Sequence, residues 1–88
     1  MIAAAPRAML PRVGSEPDVG LLRKRSIVLA GHATSLALEP EFWLVLGALA
    51  GARALSLAAL IAEIDAGRGP RPLASACRLA ALAHAAAQ

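Results

Sequence analysis

One short segment of this chain is typical of a β-strand, and it has no obvious partner. Residues 33–38 alternate small and larger side chains, and Glu39 and Pro40 follow at once with the signals of a helix start. A lone strand leaves its backbone N–H and C=O groups unpaired, and even a two-stranded hairpin is marginal without packing. A second copy is the simplest partner, because two such strands can pair antiparallel across a two-fold axis. The sequence therefore predicts a mainly helical, intertwined homodimer with one short strand per chain, paired between chains.

Two helices are predicted after this strand. Pro40 suits the first helical position, where its missing N–H costs nothing, and Glu39 and Glu41 lie where the helix dipole favours negative charge. Ser56 is a good N-cap for the second helix. The inward strand positions and the apolar helix stripes together predict the dimer core, which consists of Leu36, Leu38, Phe42, Leu46, Leu60, Ile61 and Ile64.

The 88 residues allow one domain near the lower size limit for a self-sufficient core, a limit that a dimer relieves. Proline and glycine punctuate both flanks of the predicted strand and helices, which indicates flexible segments there. The predicted regions are a disordered basic arm over residues 1–25 that ends in Arg23, Lys24 and Arg25, a strand–helix–helix unit over 26–66, a linker over 67–72 and a third helix over 73–87.

Composition excludes more functions than it supports. The net charge of +3 and the pI of about 10.5 are compatible with nucleic acid, but arginine- and alanine-rich composition also follows from high-GC coding. Cys77 is the single cysteine, so a buried structural thiol is expected. The sequence has no nucleophile–base pair, carboxylate cluster, glycine-rich phosphate loop or metal set, and no apolar run long enough to span a membrane. We therefore predict no enzymatic activity, no metal, no other cofactor and no membrane partner.

Several short motifs share their spacing with a small bacterial family. Ala30-Gly31-His32 precedes the run Thr-Ser-Leu-Ala-Leu-Glu-Pro-Glu-Phe-Trp at 34–43, and Ala-Glu-Ile-Asp stands at 62–65. These segments resemble the AGH-x-T-S, L-E-P-x-F-W and A-E-I-D motifs of a group of ribbon-helix-helix proteins, over about residues 26–82. The resemblance implies a homodimeric DNA-binding domain of the Arc and methionine-repressor class, with a C-terminal helix added. A cytoplasmic, nucleoid-associated protein is the corresponding expectation.

The resemblance also implies a reading face. In ribbon-helix-helix repressors the outward side of the ribbon enters the major groove of double-stranded DNA, which here points to Ala33, Ser35 and Ala37. Relatives often carry arginine in place of Ala33 and serine or threonine in place of Ala37, so only Ser35 keeps a hydrogen-bonding side chain. The N-terminus of the second helix, at Ser56 and Leu57, is expected to bind a phosphate.

Two further features concern the basic residues before the strand and the turn between the two helices. Arg23, Lys24 and Arg25 can reach the DNA backbone beside the ribbon, or they form a solvated tail. Ala54 replaces the glycine usual in relatives, at a cost of about 1 kcal/mol if the position is left-handed.

One face of the first helix should be exposed, yet it carries the apolar residues Leu44, Val45 and Ala48, which indicates a protein partner. Alternatively, the third helix covers this face with its own apolar stripe, which consists of Leu79, Leu82, Ala83 and Ala86. The first hypothesis is a DNA-binding transcriptional regulator. The alternative is a protein–protein interaction module, degenerate or antitoxin-like, that has lost sequence-specific DNA readout.

Overall fold

The computed structural model describes residues 22–88, which form a two-stranded antiparallel sheet followed by three helices. The element order confirms the predicted ribbon-helix-helix fold with an added C-terminal helix. The elements are β1 (Arg23–Leu29), β2 (His32–Leu38), α1 (Pro40–Ala52), α2 (Leu57–Gly67) and α3 (Leu73–Ala86).

The strand at residues 32–38, for which the sequence predicts no partner in its own chain, pairs with another strand of that chain. β1 and β2 are antiparallel, with Leu29 opposite His32 and Arg23 opposite Leu38. The expectation of one strand per chain, paired only between chains, is therefore corrected. The boundary of the predicted arm is corrected as well, because its last three residues, 23–25, belong to β1. Residues 1–21 of that arm lie outside the described residues.

A two-residue turn explains this pairing. Ala30 and Gly31 join the strands with φ angles of +51° and +81°. Positive φ at both central positions is the geometry of a type I′ turn, whose twist matches that of the flanking strands. Gly31 adopts it without steric cost, whereas Ala30 has to bear a left-handed conformation that its Cβ disfavours.

The core lies under the inner face of this hairpin. Ile27 and Leu29 of β1 join Leu36 and Leu38 of β2, and all three helices pack against them. Of the residues predicted to form a dimer core, five are buried inside the single chain and two, Phe42 and Ile64, are partly buried against it. The buried members of the core are Ile27, Leu29, Leu36, Leu38, Trp43, Leu46, Ala50, Leu60, Ile61, Cys77 and Ala81.

The turn between α1 and α2 forms a Schellman motif. The N–H of Ala54 donates to the carbonyl of Gly51 at 3.1 Å, and the N–H of Leu55 donates to that of Ala50 at 2.9 Å. These two bonds satisfy carbonyls at the helix end that would otherwise lack a donor. The motif needs a left-handed residue between them, and Ala54 has φ +56°. Alanine therefore replaces the usual glycine at a position whose left-handed conformation strains an alanine.

α3 packs through its smallest side chains. Ala76, Cys77 and Ala81 are buried, whereas Leu79 and Leu82 are 46% and 60% exposed. The alternative that the leucine stripe of α3 covers the apolar face of α1 is wrong for Leu44, which stays 77% exposed. Small residues let the backbone of α3 approach α1 and α2 closely, and the larger leucines are directed outward as a result.

An ion pair fastens α3 to the start of α1. Arg78 donates from Nε to Oε1 of Glu39 at 2.9 Å, and its guanidinium lies 5.8 Å from the centre of the Phe42 ring. The hydrogen bond from Arg78 is the main reason that the pKa of Glu39 lies below its usual value of 4.5.

No single helix in residues 22–88 is both long and apolar enough to cross a membrane. α1 and α2 reach that length only when taken together, and they are bent by 98° at the turn between them.

The strain at Ala54 generates a stability prediction. Ala54→Gly removes the Cβ from a left-handed residue and should raise the free energy of unfolding by about 1 kcal/mol in urea titrations. Ala62→Gly is the matched control: Ala62 is exposed in the middle of α2, so the same chemical change should lower it by about 1 kcal/mol. A decrease in stability for Ala54→Gly would contradict the assignment.

Candidate nucleic-acid interface

Strand alternation gives the hairpin an exposed face opposite the core. The predicted reading-face residues of β2, which are Ala33, Ser35 and Ala37, lie on this face. β1 contributes three more residues, which were not predicted to belong to a strand. We call these six residues the outer hairpin face. They form three cross-strand pairs, Val28 with Ala33, Ser26 with Ser35, and Lys24 with Ala37.

The outer hairpin face changes in character along its length. Val28, which is 64% exposed, and Ala33 form an apolar patch beside the turn. The hydroxyls of Ser26 and Ser35 occupy the middle, where each can donate and accept hydrogen bonds. Lys24 adds a positive charge at the far end. The face is therefore polar and cationic at the end near the helices and apolar at its tip.

The three basic residues of β1 do not lie together. Lys24 belongs to the outer hairpin face, whereas Arg23 and Arg25 have the parity of the buried Ile27 and project on the helix side of the sheet. The indole Nε1–H of Trp43 donates to the backbone carbonyl of Arg23 at 2.8 Å. The guanidinium carbon of Arg25 lies 5.2 Å from the centre of the Trp43 ring, within the range of a cation–π interaction.

Both edges of the hairpin are open within residues 22–88, but they differ in charge. A two-residue turn makes Leu29 and His32 a hydrogen-bonded pair, and such pairs alternate along an antiparallel ladder. The N–H and C=O groups of Ala33, Ser35 and Ala37 therefore point away from β1 toward the open edge of β2. That edge carries small uncharged residues, while the β1 edge carries three basic residues on alternating sides.

The start of α2 has the predicted cap. The hydroxyl of Ser56 accepts from the N–H of Ala59 at 3.0 Å, which confirms Ser56 as the N-cap. The N–H groups of Leu57 and Ala58 have no acceptor within the helix, as in the first turn of any α-helix. Ser56 is exposed and Leu57 is partly buried, so the backbone rather than the Leu57 side chain is the part able to meet a ligand.

Comparison with known families decides what kind of domain this is. The family model of the ribbon-helix-helix domain matches residues 22–85. The chain belongs to the ribbon-helix-helix family. The match takes in both strands and α3 almost to its end. No curated protein and no solved structure matches the chain significantly.

Ribbon-helix-helix domains are DNA-binding domains of the transcription-regulator type and are generally not enzymes. Burial raises the pKa of the Cys77 thiol, which keeps that side chain protonated inside the core. Among residues 22–88, no group of three His, Cys, Asp or Glu side chains is placed to hold a metal ion.

Proposed function

We propose that this protein is a homodimeric DNA-binding regulator that meets double-stranded DNA with its outer hairpin face. The observation that carries the proposal is the family match over both strands and all three helices, combined with an exposed hairpin face that ends in Lys24. The serine hydroxyls and the lysine ammonium are groups that contact phosphates and base edges in DNA complexes.

Dimerisation is proposed to use the open edge of β2. Two β2 strands can pair antiparallel about a two-fold axis at Ser35, which extends the sheet to four strands in the order β1–β2–β2–β1. Residues with small uncharged side chains, Ala33 and Ala37, flank that axis. The edge of β1 is a poorer choice, because like charges at 23–25 repel a second copy.

The width of that sheet assigns different roles to its strands. Neighbouring strands lie about 4.8 Å apart, so each outer β1 strand would lie about 7 Å from the two-fold axis. The major groove is about 12 Å wide, which places its walls about 6 Å from the same axis. The β2 pair therefore faces the base edges. Each β1 strand lies over the phosphates, which the side chain of Lys24 can reach. The N-termini of the two α2 helices, at Ser56 and Leu57, are proposed as further phosphate contacts.

This arrangement favours affinity over sequence specificity. Only Ser35 of each β2 strand offers a hydrogen bond to a base, while Ala33 and Ala37 offer methyl contacts alone. Most of the binding energy would then come from phosphates, with strong salt dependence and a weak sequence preference. Arg23 and Arg25 are not part of this DNA surface in our proposal, because they project on the other side of the hairpin.

A protein-interaction role is the second candidate function. Leu44 on α1 is 77% exposed, and α3 leaves it uncovered. An exposed leucine of this size beside further apolar residues is typical of a contact surface. The two candidates use different surfaces, so each can be tested without the other.

Proline substitution tests the dimer. The Ser35 N–H points away from β1, so Ser35→Pro removes a donor from the open edge and keeps the hydrogen bonds within the hairpin. We expect Ser35→Pro to be folded by circular dichroism and to shift the protein toward monomer in sedimentation velocity. Thr34→Pro is the matched control, because it removes a bond between β1 and β2 and should destabilise the fold itself. An unchanged dimer in Ser35→Pro would exclude pairing along β2.

Salt dependence tests the phosphate contact. Lys24→Gln removes one proposed contact per subunit, so the slope of log K against log salt should become shallower by about two units per dimer on a mixed-sequence duplex. Fluorescence anisotropy at several salt concentrations measures that slope. The matched control is Arg71→Gln, which removes an exposed charge between α2 and α3 and should leave the slope within about half a unit. Equal effects of the two variants would show that net charge alone governs binding.

Changes at Ala33 test whether β2 enters the groove. Ala33→Arg should raise affinity and create a guanine preference worth about 1 to 3 kcal/mol, because arginine can form two hydrogen bonds with guanine. Ala33→Glu should abolish binding by repelling phosphates while the fold persists. Competition titrations with duplexes that differ in guanine content measure both effects. The absence of any change with either variant, in folded protein, would rule out the outer hairpin face as the DNA surface.

A further inference from the structure

Two adjoining grooves run along the exposed side of α1 and share Leu44. The first, of about 510 Å³, lies between the start of β1 and the start of α1, and it is lined by Arg23, Lys24, Arg25, Pro40, Trp43 and Leu44. The second, of about 360 Å³, lies between α1 and the end of α3, where Val45, Ala48 and Ala85 are among its lining residues. We call the two together the α1 groove.

We propose that the α1 groove binds a protein segment that carries apolar side chains at one end and acidic side chains at the other. This inference goes beyond DNA binding and does not rest on it. It commits to a partner whose chemistry complements the two halves of the surface.

The apolar half is the part of the groove at Leu44. Leu44 is 77% exposed, which is the highest value among the exposed large apolar residues of the described part of the chain. Ala48 lies one helical turn further along, and Val45 is partly buried beside it. A partner's apolar side chain placed here would remove the exposed surface of Leu44 from water.

The basic half is held in place before any partner arrives. Trp43 fixes the β1 backbone through its 2.8 Å hydrogen bond to the Arg23 carbonyl, and its ring lies beneath the Arg25 guanidinium. Ordering the β1 backbone and the Arg25 side chain in advance lowers the entropic cost of binding. Within residues 22–88, neither Arg23, Lys24 nor Arg25 forms a salt bridge to a carboxylate. The groove therefore offers positive charge that an acidic segment can use.

Charge complementarity argues against residues 22–88 of a second copy as the occupant. Residues 22–88 contain four carboxylate side chains, and three of them already pair with arginines of the same chain. Only Glu41 is left, and it is a single carboxylate in the first turn of α1. The three pairs are Glu39 with Arg78, Glu63 with Arg53, and Asp65 with Arg68.

The chemistry of the surface also argues against DNA as the occupant. A phosphodiester backbone has no apolar side chain to cover Leu44. The two arginines of the groove project on the opposite side of the hairpin from Ser35 and the rest of the outer hairpin face. A DNA duplex seated on that face would lie on the other side of the sheet from Arg23 and Arg25.

The test uses the fluorescence of Trp43, which is the single tryptophan of the chain and lines the groove. The probe is a synthetic, tryptophan-free helical peptide of about 16 residues, with leucines at helical spacing in one half and glutamates in the other. Added to the full protein without DNA, it should cause a saturable change in Trp43 emission. Two control peptides, one with the leucines replaced by serine and one with the glutamates replaced by glutamine, should each bind about tenfold more weakly or worse.

Paired variants locate the binding surface. Leu44→Ser and Arg25→Gln should each weaken binding of the probe peptide about tenfold. Leu82→Ser and Arg71→Gln are the matched controls, because they change an exposed leucine and an exposed arginine that do not line the groove. Each should leave the affinity for the probe peptide within about twofold. Leu44 is exposed, so the variant should fold, and circular dichroism together with Leu44→Gln checks that a loss is not due to unfolding.

Three results would overturn the proposal. Equal affinity for the probe and for the leucine-free peptide would show that charge attraction alone accounts for binding. A shift of Leu44→Ser from dimer toward monomer in sedimentation velocity would make the α1 groove an interface between copies. A Leu44-dependent change in Trp43 emission on adding duplex DNA would assign the groove to nucleic acid. Ala33 does not line the α1 groove, so loss of DNA binding in Ala33→Glu would leave the peptide result unchanged, and the two proposals fail separately.

Discussion

The pairing of β1 with β2 is the interaction on which the rest of this structure depends. It satisfies the backbone groups that the two strands direct toward each other, and it aligns Ile27 and Leu29 with Leu36 and Leu38 on one inner face. The helices have an apolar surface to cover only because that face exists. Without β1, the inner face would lose half of its buried side chains, and a chain of this size has few others to replace them.

Two alanines bear the strain of the chain reversals. Ala30 in the hairpin turn and Ala54 after α1 both have positive φ, which costs each residue about 1 kcal/mol relative to glycine. The strain persists because the surrounding bonds determine the conformation, namely the strand ladder at Ala30 and the Schellman hydrogen bonds at Ala54. Glycine at Ala54 would relieve it without changing the path of the chain.

The alternation of β1 separates two surfaces within three residues. Lys24 points to the outer hairpin face and also borders the α1 groove, while Arg23 and Arg25 project on the helix side and line that groove. One continuous basic run in sequence thus serves two sides of a thin sheet, and Trp43 orders only the side that faces the helices. A two-stranded sheet that is open at both edges can present such different faces because nothing covers its outer side.

Local sequence determined the helix starts at Pro40 and after Ser56, the inward parity of Leu36 and Leu38, and the outward parity of Ser35, because caps and alternation act over a few residues. Tertiary structure alone decided the partner of β2, since the basic residues of β1 have the composition of a flexible arm. The same alternation upstream of Gly31, with Ile27 and Leu29 two residues apart, was the signal that could have found it. Packing also decided which side of α3 is buried. The leucine stripe predicts burial of the side with Leu79 and Leu82, whereas the close approach of α3 to the other helices buries the side with Cys77 and Ala81. The contacts of Trp43 with Arg23 and Arg25 join residues about twenty positions apart, and no local pattern encodes such a distance.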